Sequence, residues 1–261
     1  MMRSKTRKIL LIIASAVFII CAAVIIWNKY PYWKNRNFYD KTAKEYTQVN
    51  EEYTEIPDEG SAAQVAPIIV DFAALKAVNE DVSGWIYCEG TEINYPVVQG
   101  PSNDTYLHTT YTGIHDFAGS IFVEEQNLRD FKDNNTIIYG HNMYDGSMFA
   151  GLGNWQIQSY FDEHPVMWLL TPERDYKVVL FSAYVTYANN RSVYAIYRGT
   201  GDELARYIED VRTYSYIYCD EQLDPAGRFL LLSTCTNAEG DKRSVIHGML
   251  VPVDSVGGIL K

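Results

Sequence analysis

Four residues in this chain have the types and settings that acyl transfer requires. Cys235 follows the apolar run Phe229-Leu230-Leu231-Leu232-Ser233-Thr234 and opens onto a polar turn, Thr236 to Asp241. A thiol at the end of a buried strand is held rigidly and can still reach a substrate. It needs a cation or an imidazole nearby to lower its pKa or take its proton. Arg243 lies just past the turn, where a strand–loop–strand connection can return it to Cys235. A guanidinium stays charged, and its several donors suit a developing oxyanion. Of the five histidines, two are best placed to carry a proton. His141 follows Ile137-Ile138-Tyr139-Gly140, and His247 alternates within the last strand-like run, close to Cys235 in sequence. His108 and His115 fall in a polar stretch with Asn103, Asp104 and Asp116, and His164 precedes Pro165. No closely spaced set of His, Cys and carboxylates has metal-ligand spacing, so neither a metal nor another cofactor is expected.

The other cysteines read differently. Cys21 lies in a long apolar segment and serves there as a small apolar residue. Cys88 and Cys219, beside Tyr87 and Tyr218, are either two partly buried thiols or, in an exported domain, a disulfide. Four cysteines in 261 residues are too few for a disulfide scaffold.

The elements that must position these residues are mostly strands. Short strand-like runs cover 84–87, 93–98, 119–123, 136–139, 176–187, 229–236 and 245–253. The helical candidates are fewer. Asp71 is placed to cap a short helix carrying Phe72, Leu75 and Val78. Ser147 to Leu152 is a short helical turn. Asp202 to Val211 puts Leu204, Tyr207, Ile208 and Val211 on one face. Seven or eight strands with few helices predict a mainly β fold with flanking helices, closed or nearly closed as a barrel.

The N-terminus predicts the compartment. Residues 9–27 form an apolar run without a charge, enough to cross a bilayer as a helix. Arg3, Lys5, Arg7 and Lys8 precede it, and the first acid is Asp40. By the positive-inside rule residues 1–8 form a cytoplasmic tail, and the chain beyond the span is exported. The run ends in Ile-Ile-Trp-Asn-Lys, a poor cleavage site, which favours a retained anchor over a removed signal peptide. Trp27, Tyr30, Tyr32 and Trp33 form an interfacial aromatic belt. Residues 28–66 read as an extracellular segment, helical over 35–52 and a linker over 51–66, leaving 67–261 as the catalytic domain. Net charge is −11, and beyond residue 8 the remaining 18 of the 22 cations face 33 acids, a balance of −15. Such a surface repels phosphates and excludes a nucleic-acid binder.

The motifs resemble those of sortases, specifically class B. Leu231-Leu232-Ser233-Thr234-Cys235 is similar to the family's Thr-Leu-x-Thr-Cys, departing only at Leu231. Arg243-Ser244-Val245 and Ile138-Tyr139-Gly140-His141-Asn142-Met143 resemble the family's stretches around its arginine and histidine. Residues 84–100, Asn103-Asp104-Thr105-Tyr106-Leu107 and 118–122 resemble the early class B strands and loop, so the likeness spans about 70–253. The resemblance implies a sortase barrel with N-terminal helices and a long helix before the catalytic strand. It implies that Cys235 attacks a Thr carbonyl in a C-terminal sorting pentapeptide, with His141 as proton carrier and Arg243 at the oxyanion. Asn103 and Leu107 match positions lining the family's peptide groove, Ser233 and Thr234 adjoin the nucleophile, and Tyr194 and Ile196 are expected on the other wall. The implied partners are surface proteins bearing a sorting signal and a peptidoglycan-precursor amine, with a calcium-independent mechanism. Class B enzymes are associated with Asn-Pro-x-Thr-type signals, and some accept Leu-Pro-x-Thr-Gly-like ones. Three rivals stay open: a hydrolase, a pilin polymerase using a Lys amine, and a non-catalytic surface binding module.

Overall fold

The computed structural model describes residues 4–53, 65–198, 201–236 and 241–253. Most of the expected linker, the tip of the turn after Cys235 and the first three tail residues therefore lie outside the described residues. The chain divides into two units, Met1–Lys41 and Thr42–Lys261.

The first unit belongs to one helix, α1 (Ser4–Tyr46), which is 43 residues long and runs through Pro31. The expected boundary between an apolar span and a second helix is therefore absent, because a proline removes only one ladder donor and a long helix can absorb the loss. The side chains from Ile9 to Trp27 are almost all exposed, and the helix is long and apolar enough to cross a membrane. The helix stops at Tyr46 rather than Glu52. Thr47–Val49 form a strand instead (β1), paired antiparallel with Ile68–Val70 (β2), which gives Val49 a ladder partner. Asp71 caps α2 (Phe72–Val78) by accepting from Ala74 N at 2.9 Å, as the sequence predicts.

Eight strands close a barrel in the second unit: β3 (Val82–Tyr87), β4 (Asn94–Val98), β5 (Ile121–Val123), β6 (Asn135–Tyr139), β7 (Val166–Leu170), β8 (Asp175–Tyr187), β9 (Arg228–Cys235) and β10 (Lys242–Val253). Their order around the barrel is β10-β8-β7-β3-β4-β5-β6-β9, and β9 returns to β10. Two pairings are parallel, β4 with β5 and β6 with β9. The seven strand-like runs are all present. The eighth, β7, reads Val-Met-Trp-Leu-Leu, a continuous buried run with no alternation to mark it as a strand. The helical turn expected from Ser147 begins at Ala150 (a 3-10 helix to Gln156), because Met148 takes a left-handed φ of 56° that no helix continues through. A short helix, α3 (Gln158–Glu163), follows.

Helix α4 (Asp202–Thr213) lies over one wall of the barrel. Its buried Leu204, Tyr207, Ile208 and Val211 join Ile137, Phe181, Tyr184, Phe229, Leu231 and Val245 in one apolar cluster. β8 ends at Tyr187, as the strand-like run over 176–187 predicts. The segment after it is irregular and is pinned to the start of β6 by side chains. Asn135 Nδ2 donates to Ala195 O at 2.8 Å, and Arg198 Nε donates to the fully buried Asp133 at 2.7 Å. That anchoring carries Tyr194 to the rim of the site.

Candidate active site

The parallel pairing of β6 with β9 places Tyr139 opposite Ser233, so the two strands end side by side. One leads into Gly140-His141 and the other into Thr234-Cys235. Gly140 N donates to Ser233 O at 3.2 Å, and Asn142 Nδ2 donates to Cys235 O at 2.8 Å, which ties the His loop to the Cys strand. A side chain at position 140 would meet Ile121 at 2.5 Å and the Phe149 ring at 2.7 Å, so only glycine lets His141 approach this closely. On the other side β9 turns back into β10, and Arg243 pairs directly across from Cys235. The topology thus brings Cys235, His141 and Arg243 to one barrel end.

All three line a cleft of about 280 Å³. Asn103, Asp104, Leu107, Phe122, Tyr139, Gly140, Ala188, Tyr194, Ser233 and Thr234 complete its walls. Of the residues expected from sequence to carry the chemistry or line the groove, Ile196 and His247 fall outside this lining. Ile196 packs against the apolar cluster under α4.

Cys235 is exposed, as a nucleophile must be. His141 is half-buried, and its Nε2–H donates to Leu107 O at 2.7 Å. A carbonyl can only accept, so in the neutral ring Nδ1 carries the lone pair and takes the next proton. Burial pushes the His141 pKa below the usual imidazole value, the Leu107 carbonyl opposes that, and His108 adds to it. Arg243 Nη1 pairs with Asp241 at 2.7 Å and donates to Lys242 O at 3.1 Å, which fixes one arm of the fork.

One wall of the cleft is aromatic and uncharged. Tyr194 stacks on Tyr139 at 6.4 Å between ring centroids and shares a 2.9 Å hydrogen bond with Ser233 Oγ. Burial raises Tyr194 to about 12 and pushes Tyr139 up further, so both remain neutral phenols. Tyr139 OH donates to Glu124 Oε2 at 3.0 Å. The same carboxylate oxygen accepts from Asn103 Nδ2 at 2.9 Å, while Asn103 Oδ1 accepts from Glu125 N at 2.9 Å. The Asn103 side chain thus braces its own loop against the β5 end. Glu124, Tyr139, Phe122 and Asn142 were not expected to be site residues. Their signal was positional: Tyr139 shares the strand parity of Ile137 and precedes His141 by two.

One expectation needs correction, and the choice between two readings of the paired cysteines is decided for thiols. His247 is no proton carrier for Cys235. It is completely buried, with Nε2 and Nδ1 each 3.0 Å from a phenol, Tyr184 and Tyr207 respectively, and burial lowers its pKa to about 3. Pairing opposite Leu231 sets it inside the core rather than at the cleft. Cys88 and Cys219 are both free thiols. Cys88 is buried against Val166 O, with its pKa raised to about 12, and Cys219 Sγ lies 3.8 Å from Leu180 O.

Comparison with known proteins agrees with this geometry. The sortase domain family matches residues 86–251. Sortase B of Listeria monocytogenes is 37% identical over 179 residues, 68% of this chain and 72% of that one. Sortase B from Bacillus anthracis, solved in complex with AAEK1, superposes with a TM-score of 0.71 at 30% identity, covering 85% of this chain and 99% of that one. A Staphylococcus aureus sortase B–substrate complex gives 0.66 at 30% identity, covering 70% and 85%. The shared barrel, the likeness to sortase B proteins along most of its length and the cysteine at the cleft mouth assign this chain to class B of the sortase family, the cysteine transpeptidases.

Proposed function

We propose that this enzyme cleaves a C-terminal sorting signal of surface proteins after Thr and transfers the protein to a cell-wall amine. The observation that carries the proposal is the convergence of Cys235, His141 and Arg243 on one cleft. The Cys235 thiolate attacks the Thr carbonyl carbon, and the oxygen takes the electron pair. Arg243 donors face that oxyanion. The intermediate collapses to a thioester as the C–N bond breaks, and His141 gives the leaving amine its proton. An incoming amine then attacks the thioester, His141 takes a proton from it, and Cys235 leaves as thiolate. The product is a new amide.

Asn103, Leu107, Tyr194, Ser233 and Thr234 are proposed to line the peptide groove, with Asn103 acting through the shape of its loop. Ile196 is proposed to support that wall from behind. A substrate complex of a relative supports a peptide in this cleft. Residues 9–27 are proposed as the membrane anchor, with residues 1–8 in the cytoplasm, 28–66 as an external spacer and 67–261 as the catalytic domain. The apolar helix from Arg7 supports that anchor.

The test is cleavage of quenched peptides carrying Asn-Pro-x-Thr, Leu-Pro-x-Thr-Gly or Pro-Pro-x-Thr-Gly cores, with and without an amine. Cleavage after Thr and an amide adduct with the added amine are expected, both absent in Cys235→Ala. Hydrolysis that no amine diverts would instead make the enzyme a protease. Preference for a pilin Lys amine over a wall-precursor amine would make it a pilin polymerase. Unchanged surface display with Cys235→Ala would make it a binding module.

A further inference from the structure

The segment that holds His141 at its edge also covers its face. Leu107 O accepts from His141 Nε2, and the next side chain, His108, lies parallel to the His141 ring, with centroids 5.3 Å apart and planes 14° from parallel. His115 lies 6.5 Å from His108, making a row of three imidazoles that runs from the cleft to an exposed loop. The Leu107-His108 pair therefore acts on His141 twice. The carbonyl favours the imidazolium, because Nε2–H is a better donor when the ring is charged. A charged His108 opposes it, because two like charges would face each other across the stack.

We propose that His108 is a positioning residue for the catalytic imidazole: it fixes the plane of the His141 ring by stacking and, when charged, opposes the charge of His141 across the stack. This rests on the reading of His141 as the proton carrier. Histidine is the side chain whose charge ordinarily changes between pH 5 and 8.

The charged and titratable groups around the pair are few. On its own loop His108 has His115, and Asp116, whose amide donates to His108 O. The same segment carries Asp104, and across the cleft are Tyr139 on β6, Cys235 on β9 and Arg243 on β10. Of these groups, His108 is the one stacked on His141, and its charge acts against that of His141.

The test compares full-length enzyme in detergent micelles with His108→Phe, which keeps a ring to stack but carries no charge, and His108→Lys, which carries a charge and no ring. The His141 ring signal is followed by NMR titration, with the buried His247 signal reporting that the fold is intact. The His141 midpoint is expected to rise by about half a pH unit in His108→Phe, the size of a like-charge repulsion over 5.3 Å in a nearly aqueous medium. In His108→Lys it should lie at or below wild type. The ratio of kcat/KM at pH 5.5 to that at pH 7.5 should fall in the Phe variant, because a higher midpoint keeps His141 charged further into the neutral range. Coincident midpoints in all three proteins would overturn the inference. A His141→Ala enzyme of undiminished activity would instead overturn the reading of His141 and leave the coupling measurable, so the two failures are distinct.

Discussion

Two histidines show what separates the mouth of this barrel from its covered wall. His247, under α4, has both ring nitrogens close to phenols, no solvent and a pKa lowered to about 3. His141, at the cleft, is half-buried, has one nitrogen fixed by a carbonyl and lies against an exposed imidazole. Both are desolvated, and desolvation lowers both pKa values. The difference lies in what opposes it. At His141 a backbone carbonyl stabilises the charged ring, while at His247 the phenols satisfy the neutral ring and leave a proton nowhere favourable to go. A histidine within reach of a cysteine in sequence becomes a proton carrier only when its surroundings leave the charged form accessible.

Substitutions can break this contrast, and the largest effect belongs to the cleft. His141→Ala should lower kcat/KM by about two to four orders of magnitude, the range for losing a general acid–base, in peptide cleavage assays. A fall of less than tenfold would place the proton elsewhere. Arg243→Ala should cost about two to three orders in kcat, as expected for a lost oxyanion donor, and Arg243→Lys should recover only part because a point charge lacks the fork. On the covered side the effect is on stability. His247 is held neutral far below its ordinary 6.5, so below about pH 6.5 the unfolded chain binds a proton that the folded one refuses. Stability should then fall with pH down to about 3, by about 2 kcal/mol between pH 7 and 5. Urea unfolding at the two pH values should show that slope flattened in His247→Gln. An equal slope in both proteins would deny His247 this role. The smallest expected effect comes from Gly119, which has φ of 57° and packs so close to the Leu107 carbonyl that a Cβ would collide with it. Gly119→Ala should displace the acceptor of His141 and lower activity about tenfold, the worth of one weakened hydrogen bond.

Much of this was legible in the sequence, for reasons that can be named. Strands with alternating or bounded apolar runs declared themselves, and the apolar face of α4 appears as spaced. Asp71 was readable as a cap because its side chain acts locally. Cys235 and Arg243 flank a short turn, so their meeting follows from chain geometry alone. Local rules failed where tertiary contacts decide. β7 has no alternation because both its faces are covered. Residues 188–198 lack a ladder and are held by Asn135 and Arg198, whose partners are set by the tertiary fold. His247 and His141 both sit on or just past strands, and only the long-range pairing of β10 with β8 and the cover of α4 seal one of them in. The bracing of Asn103 by Glu124 and Glu125 also joins residues too far apart for spacing to reveal.

The thioacyl step is tested most directly by the intact mass of the enzyme after incubation with a sorting peptide and an acid quench. Nucleophilic attack by Cys235 predicts an adduct equal to the peptide's N-terminal fragment through Thr, less water. It should be held as a thioester on Cys235, be missing in Cys235→Ala, and disappear when an amine is added before the quench. Turnover of the same peptide with no adduct under any condition, or an adduct that persists in Cys235→Ala, would contradict that mechanism.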